Sequence, residues 1–402
     1  SESENTAPWL LKAEMRRAGS LLIEIARETA VPAGHALAVD REAFAARVTE
    51  AISAEPRIKV VREEVTRVEE NDGLTIVATG PLTSDALSQE IARLTGSDHL
   101  YFYDSISPIV EADSIDIERV YFAARYGKGT ADYINCPFTK DEYERFVDGL
   151  TAAQSVEGHD WEKLNYFEGC LPIEEIARRG RDTLRFGPMK PVGLEDPRSG
   201  KRPYAVVQLR RENLRADSYN LVGFQNHLKF GEQAKVLRLI PGLENAKFLR
   251  YGQIHRNTYI NAPSLLLETL SLRRHPSVFF AGQISGVEGY TESIAMGMLA
   301  GMHVSRVAQG LPAVPPPRET ALGSLVTYLC HAEAKNFQPA NITFDLLPQM
   351  DDAARRQVRD KKLRHKMVCE RALQALASWL AQFGTATQNR GRTDAYVSTL
   401  SR

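Results

Sequence analysis

Residues 277–301 read SVFFAGQISGVEGYTESIAMGMLAG, and this stretch decides the fold class. An apolar run, 278–281, meets Gly282, and a loop with further glycines at Gly286 and Gly289 leads into a run of small residues typical of a closely packed helix. A buried strand followed by a glycine loop and a helix start brings backbone N–H groups and the helix dipole towards a phosphate or a flat ring. The pattern predicts an α/β fold with a ligand site at this turn.

The glycine spacing in this loop is Gly-x3-Gly-x2-Gly, which differs from the Gly-x-Gly-x-x-Gly fingerprint of dinucleotide sites. It is typical of the second, closing contact that a flavoprotein makes with its cofactor. A tightly packed strand–helix turn without any ligand explains the same pattern equally well. The motif alone leaves both interpretations open.

Upstream of this stretch, the sequence predicts helices and a hairpin. Apolar residues recur at helical spacing over 9–30 and again around 44–52. Residues 58–70 and 74–79 alternate like paired strands, and Asn-Asp-Gly at 71–73 is a strong turn signal. We therefore expect a β-hairpin whose second strand ends in the Ala-Thr-Gly triplet.

The composition of the chain changes over its middle part, which is rich in aromatic residues, basic clusters and glycine-proline turns. These features predict an α+β insertion, and the flavoprotein-type strand and glycine loop after it indicate that the insertion divides one Rossmann-like FAD-binding domain into two parts. A proline-rich stretch at 312–317 then leads into a helical C-terminal tail. The predicted division is a first part of the FAD-binding domain at 1–92, an insertion domain on the substrate and RNA side at 93–269, and a second part with the tail at 270–402.

Composition excludes several classes of protein. The chain has 402 residues, is 43% hydrophobic and carries a formal net charge of −1, so it can bury a large core and has no global field that attracts nucleic acid. Its four cysteines include no CxxC pair, which argues against a zinc ribbon or a disulfide framework. No apolar run approaches the ~18 residues that span a bilayer. We expect a cytoplasmic protein with no metal site, no membrane contact and no evident protein partner.

Basic residues concentrate in two segments of the predicted insertion. Residues 178–202 contain eight Lys or Arg against three Asp or Glu, and residues 208–256 contain nine against four, interleaved with aromatic residues. Such segments bind phosphates and stack on splayed bases, although a solvated charged surface is the commoner outcome of any single run. The predicted RNA-binding residues are Arg178, Arg179, Arg181, Arg185, Lys190 and Lys229.

Four longer motifs carry a resemblance to a known family. They are FFAGQISGVEGYTES at 279–293, GPMKPVGLEDP at 187–197, NLVGFQNHLKFGEQ at 220–233 and YFEGCLPIEE at 166–175. With them, the chain resembles the folate- and FAD-dependent tRNA (uracil-5-)-methyltransferases of bacteria. A larger flavoprotein family that modifies the wobble uridine shares the glycine loop but is not known for the second and fourth motifs.

The resemblance implies a reaction and its cofactors. Members of the family make 5-methyluridine in the tRNA T-loop, with the methylene from 5,10-methylenetetrahydrofolate and a hydride from reduced FAD that NADH or NADPH recharges. The implied FAD contacts are Gly282, Gln283, Ile284, Gly286, Val287, Gly289, Tyr290 and Thr291, with Ala78, Thr79 and Gly80 in the turn after the predicted hairpin. Tyr290 and Trp161 are implied to line the folate and substrate pocket.

The resemblance also assigns a nucleophile. Uracil C5 becomes reactive only after a nucleophile adds to C6, and a cysteine thiolate both adds and leaves readily. The family's YFEGC cysteine is Cys170 here; a buried, inert thiol is the alternative for this residue. Family members also carry an opening segment with a Gly-x-Gly-x-x-Gly loop and a further cysteine. We expect this segment, roughly fifty to sixty residues long, to be missing before Ser1.

Two other functions stay open from the sequence. One is a catalytically inactive, truncated RNA-binding protein that lost the opening cofactor segment. The other is a sister enzyme that methylates a uridine of ribosomal RNA by the same chemistry. Flavin absorbance and a comparison of tRNA with ribosomal RNA substrates distinguish the three.

Overall fold

A computed structural model shows how the chain folds. It describes residues 1–68, 73–96, 100–105, 107–127, 130–155, 171–213, 215–252, 254–350, 358 and 360–388. The chain forms two compact units, each assembled from separate segments. The first unit comprises residues 1–23, 65–99 and 259–402, and the second comprises residues 24–64 and 100–258.

The elements follow one another as mixed helices and short strands. The helices are α1 Ala7–Arg17, α2 Leu21–Glu28, α3 Arg41–Ala54, α4 Asp85–Thr95, α5 Lys140–Ala152, α6 Ile173–Arg178, α7 Thr183–Phe186, α8 Phe230–Leu237, α9 Ala262–Leu265, α10 Tyr290–Ala308, α11 Ala321–His331 and α12 Lys361–Gln388. The strands are β1 Ala30–Val31, β2 Ala38–Val39, β3 Thr75–Val77, β4 Leu100–Ser105, β5 Ile109–Glu111, β6 Tyr121–Phe122, β7 Ile134–Phe138, β8 Ala205–Arg211, β9 Ser218–Leu221, β10 Phe248–Arg250, β11 Ile254–Tyr259 and β12 Val278–Phe280.

A six-stranded antiparallel sheet forms the centre of the second unit, with the strand order β10-β5-β9-β8-β7-β6. Helix α5 begins with a capping box in which Thr139 and Glu142 bond each other's backbone N–H groups. Its apolar face, including Phe146 and Leu150, is buried in the same core as Phe138 of β7. The antiparallel sheet and its helices make this unit α+β.

The first unit contains a parallel strand pair. Strand β12 pairs with β3 in the register Val278 with Thr75 and Phe280 with Val77. All three residues of β12 are buried, as the apolar run predicted. Helix α1 packs against α10, α11 and α12, so the C-terminal helices belong to the core of this unit. The α/β class is confirmed.

The predicted hairpin is wrong. Residues 58–68 form no strand, and β3 pairs in parallel with β12, not with this segment. Val60 and Val61 are consecutive residues, so they would face opposite sides of the expected strand, yet both side chains are exposed. An alternating pattern fixes a strand only where one of its faces is buried, and residues 58–67 are all exposed.

Two further elements refine the sequence prediction. The helical pattern over 9–30 corresponds to two helices, because Gly19 adopts a φ of +76° between α1 and α2. The predicted helical tail includes α12, whose Trp379 is buried and donates a 3.0 Å hydrogen bond to the carbonyl of Val314 in the proline-rich stretch. None of the helices in the described part of the chain has both the length and the apolar character needed to cross a membrane.

Candidate functional site

The two parallel strands of the first unit end at the same edge. The Ala281 N–H donates a 3.0 Å hydrogen bond to the Val77 carbonyl, which continues the pairing one residue past β12. The Ala78 to Gly80 triplet and Gly282 therefore leave the strand pair side by side. Two motifs separated by about two hundred residues in sequence form one site, because parallel strands place their carboxyl ends together.

A cleft of about 540 Å³, which we call the strand-end cleft, opens at this edge. Of the residues predicted to contact the cofactor, Ala78, Gly80, Gly282, Gln283 and Tyr290 line it. The lining is mostly apolar or glycine, which suits a flat, largely apolar ring system approached by backbone. The glycine turn predicted from the sequence thus borders a cavity of ligand size.

The cleft includes residues that sequence reasoning missed. They are Gly19, Ser20, Leu21, Leu22, Pro81, Ser293, Ile294, Gly297 and Met298. The α1–α2 turn and the start of α2 supply the first four, and their only sequence signal was the Ala-Gly-Ser break in an otherwise helical pattern. Ser293 and Gly297 are four residues apart on α10, and this spacing places two small residues on the cleft side of the helix.

The remaining predicted cofactor residues do not line the cleft. Ile284 and Val287 are fully buried in the core of the first unit. The Ile284 carbonyl accepts a 2.9 Å hydrogen bond from the Ile260 N–H, so this part of the loop is fixed from behind. Thr79, Gly286, Gly289 and Thr291 are likewise absent from the lining.

Helix α10 begins at the cleft, and its first turn is rigidly held. Glu292 lies in that turn, is nearly fully buried and accepts a 3.1 Å hydrogen bond from the Ile342 N–H. Burial raises the pKa of the Glu292 carboxyl, and the hydrogen bond from Ile342 acts in the opposite direction. Tyr290, the first residue of the helix, is 91% exposed, so its ring is available to a ligand in the cleft.

Two predicted site residues, Cys170 and Trp161, lie outside the described residues. The other three cysteines, Cys136, Cys330 and Cys369, are free and buried. Burial raises the pKa of Cys330 and Cys369 to about 12, and it also raises the pKa of Cys136. Their thiols are therefore held in the unreactive protonated form.

The predicted RNA-binding residues of the second unit are partly neutralised by acidic neighbours. Arg178 bonds Glu175, Arg181 bonds Asp148 at 2.7 Å, and Arg185 bonds Asp182 at 3.1 Å. The Arg185 guanidinium also stacks 3.6 Å from the centre of the Tyr204 ring.

Arg178, Arg179, Arg181, Lys190 and Lys229 are exposed. Lys229 donates a 3.1 Å hydrogen bond to Gln154. Because three of the arginines have carboxylate partners, the positive potential of this surface is weaker than the count of basic residues indicates.

His227 lies in a buried, hydrogen-bonded environment. Its Nδ1 lies 2.9 Å from the fully buried carboxylate of Glu174, and its backbone N–H donates to the same carboxylate at 2.7 Å. Within the described ranges, no group of three His, Cys, Asp or Glu side chains is arranged to hold a metal ion.

Comparisons with known proteins identify the family. Residues 3–312 match the family model described as glucose inhibited division protein A. The chain is 77% identical over 381 residues to the methylenetetrahydrofolate–tRNA-(uracil-5-)-methyltransferase of Koribacter versatilis, covering 95% of this chain and 86% of that protein. The protein of the same name from Solibacter usitatus is 64% identical over 384 residues, covering 94% and 86%.

A solved structure shares the fold. The GidA protein of Aquifex aeolicus aligns with a TM-score of 0.64 at 16% identity, covering 93% of this chain and 68% of that chain. At this identity the likeness concerns the fold alone, and it matches the α/β architecture described above. By its sequence, this chain belongs to the glucose-inhibited division protein A family and, within it, to the methylenetetrahydrofolate–tRNA-(uracil-5-)-methyltransferases.

Proposed function

We propose that this chain methylates C5 of a uridine in the T-loop of tRNA. The methylene group comes from 5,10-methylenetetrahydrofolate, and the hydride comes from FAD that NADH or NADPH has reduced. The observation that carries the proposal is the 77% identity over 381 residues to a relative named for folate-dependent methylation of tRNA uracil. Relatives at 64% and 54% identity carry the same name. These names favour tRNA over ribosomal RNA as the substrate.

The cleft at the strand ends is the proposed flavin and folate site. A methyl group built on Gly80 would meet nothing within 4 Å, and one on Gly282 would approach only Ser293 at 3.9 Å. The space above both glycines is open, so a planar ring can approach the backbone there. Reduced FAD, when bound, would supply the hydride. The residues that would hold it are the cleft-lining members of the two glycine motifs.

Three features of the chain would serve binding at this cleft. The start of α10 presents the positive end of the helix dipole, which favours an electron-rich edge of a ligand. The exposed ring of Tyr290 offers a face for the folate pteridine to stack on. The buried loop residues behind the cleft hold this surface in place. By the same proposal, residues 1–92 and 270–402 form the FAD-binding domain, and residues 93–269 bear the RNA.

Cys170 is the proposed nucleophile. Its thiolate adds to C6 of the uracil ring, which makes C5 nucleophilic towards the one-carbon unit. The bond between that carbon and tetrahydrofolate then breaks, the hydride reduces the carbon to a methyl group, and loss of the C5 proton with cleavage of the C6–S bond restores the ring and the thiolate. Because the three described cysteines are buried with raised pKa values, none of them can serve this role.

The decisive experiment measures 5-methyluridine in RNA. The protein, expressed from its whole reading frame, is incubated with a tRNA transcript, FAD, NADH or NADPH, and methylenetetrahydrofolate labelled in its methylene carbon. We expect labelled 5-methyluridine in the T-loop, and none when S-adenosylmethionine is the only carbon donor. A ribosomal RNA transcript is the matched substrate control. Methylation of that transcript alone, or of no RNA, would overturn the proposal.

A further inference from the structure

A second cleft, of about 590 Å³, lies in the second unit beside Tyr126. We call it the Tyr126 cleft; Gly193, Glu195 and Arg202 also line it. It contains none of the residues of the strand-end cleft, and Gly193 and Glu195 belong to the GPMKPVGLEDP motif. Neither the flavin nor the folate of the proposed function requires this second cavity.

A chain of hydrogen bonds holds the backbone next to the residues that line the Tyr126 cleft. Arg125 donates to the carbonyls of Lys190 at 2.7 Å and Val192 at 2.9 Å, and to the side chain of Gln208 at 3.0 Å. Gln208 in turn donates to Asn135 at 2.9 Å, and the fully buried Asn135 amide donates to backbone carbonyls that include Ala123. This network fixes the motif loop against the sheet, so the cleft is preformed.

The backbone at Tyr126 is strained. Its φ of +60° and ψ of +21° lie in the left-handed region, which non-glycine residues rarely occupy. The Tyr126 N–H donates a 2.6 Å hydrogen bond to the Gly193 carbonyl, which holds the residue in that conformation. Strain of this kind persists where the surroundings enforce it, and such positions cluster at binding sites.

Gly193 makes the position of the Tyr126 ring possible. A methyl group on Gly193 would lie 2.8 Å from the ring, and the residue has a φ of +81°, so only glycine suits both requirements. The tyrosine side chain nevertheless stays 63% exposed. The strain therefore positions an aromatic ring towards solvent at the cleft and does not serve to bury it.

The chemistry of the cleft fits a nucleotide. An exposed aromatic ring stacks on any base, the Arg202 guanidinium pairs with phosphate, and the Glu195 carboxylate accepts hydrogen bonds from the N–H groups of a base. Both charged side chains are exposed and line the same cavity. The Tyr126 cleft thus combines the three contacts that read one unpaired nucleotide.

We propose that the Tyr126 cleft binds one unpaired nucleotide of the RNA substrate, with its base stacked on Tyr126 and its phosphate at Arg202. The inference rests on the proposed function, because that function makes RNA the macromolecule that this protein binds. A nicotinamide dinucleotide shares the base and phosphate chemistry and is the competing source of such a ligand. RNA is favoured because the cleft lies in the unit that bears the predicted RNA-binding residues.

The test compares RNA affinity among four variants by fluorescence anisotropy with a labelled tRNA transcript. We expect Tyr126→Leu to weaken binding roughly 5-fold to 100-fold, the range for losing one base–aromatic stack, and Tyr126→Phe to retain wild-type affinity. Arg202→Gln should weaken binding. It should also reduce the slope of log affinity against log salt concentration by about the amount that one phosphate contact contributes. Phe122→Leu removes an exposed aromatic residue that does not line the cleft, and its affinity should equal that of the wild type.

Each outcome decides between the inference and its alternatives. Wild-type tRNA affinity in both Tyr126→Leu and Arg202→Gln overturns the inference while the wild type still methylates tRNA. If Tyr126→Leu and Arg202→Gln weaken NADPH affinity and leave tRNA affinity unchanged, the cleft binds the dinucleotide, and the inference is likewise overturned. If Tyr126→Leu fails to fold, Arg202→Gln carries the test, because that side chain is exposed. Absence of tRNA binding by the wild type would instead reject the proposed function.

Discussion

The buried carboxylate of Glu14 accepts a 2.8 Å hydrogen bond from the backbone N–H of Ala321, the first residue of α11. Its second oxygen accepts a 2.9 Å bond from the next N–H, that of Leu322. The two partners are 307 and 308 residues away in sequence. A side chain of α1 therefore satisfies two of the N–H groups that every helix leaves unpaired at its start. This contact ties the beginning of the chain to its C-terminal part.

Replacing Glu14 tests the energetic weight of this contact. Glu14→Ala leaves two buried N–H donors without an acceptor, and each such donor costs about 1–3 kcal/mol. We expect the free energy of unfolding to fall by about 3 kcal/mol in urea denaturation. Glu24→Gln alters an exposed carboxylate on α2 and should unfold like the wild type. Equal stability of Glu14→Ala and Glu24→Gln would contradict the role assigned to the buried carboxylate.

The pH dependence of stability gives a separate prediction for Glu14. Burial raises the pKa of its carboxyl from 4.5 to about 8, while the bonds from Leu322 and Ala321 act in the opposite direction. Between these two values the folded state binds more protons than the unfolded state, so the free energy of unfolding decreases as the pH rises. We expect the wild type to lose stability between pH 5 and pH 8 relative to Glu14→Gln. Parallel pH profiles for the two proteins would show that the folded-state pKa is not raised.

Local sequence patterns predict some of these features, whereas contacts between distant segments leave no such pattern. The 277–301 stretch was predicted correctly because its strand, loop and helix are encoded by local apolar and glycine patterns. The partner of β3 was not, because parallel pairing joins segments about two hundred residues apart and leaves no local trace. The cap by Glu14 was missed for the same reason. Tyr126 escaped notice because backbone strain depends on the glycine that it packs against, 67 positions further along the chain.

Gly282 provides the sharpest test of the strand-end cleft as a flavin site. Its φ of +74° and ψ of −158° fall in a region that only glycine occupies readily. In Gly282→Ala, the added methyl would also lie beside Ser293, another cleft residue. We expect FAD affinity, measured by flavin fluorescence titration, to fall roughly ten-fold or more, which corresponds to about 1.4 kcal/mol.

Gly310→Ala is the matched control for that substitution. Gly310 has a φ of +72°, has open space around it and does not line the cleft. It should lose stability through backbone strain and keep wild-type FAD affinity. A similar loss of FAD affinity in both variants would mean that strain, and not the cleft, explains the effect.

Tyr290 should affect folate use without affecting stability. The side chain is 91% exposed and lines the cleft, so its removal costs the fold little. An offset stack of aromatic faces contributes about 0.5–1.5 kcal/mol beyond burial. We expect Tyr290→Leu to raise the KM for methylenetetrahydrofolate about two-fold to ten-fold, and Tyr290→Phe to keep the wild-type value. Thermal unfolding of both variants should match the wild type, and an unchanged KM in Tyr290→Leu would remove this ring from the folate site.

Cys170 separates an active enzyme from an inactive RNA-binding protein. If its thiolate adds to uracil C6, Cys170→Ala should keep FAD and tRNA affinity and lose methyl transfer, because only the covalent step needs sulfur. RNA that contains 5-fluorouridine traps the adduct, since fluorine at C5 cannot leave as a proton does. The wild type should then form a covalent complex that survives denaturing gel electrophoresis, and Cys170→Ala should form none. Cys330→Ala removes a buried thiol and should still form the complex. An adduct in Cys170→Ala would place the nucleophile elsewhere in the protein, and the absence of an adduct in every variant, together with absent methylation, would support the inactive alternative.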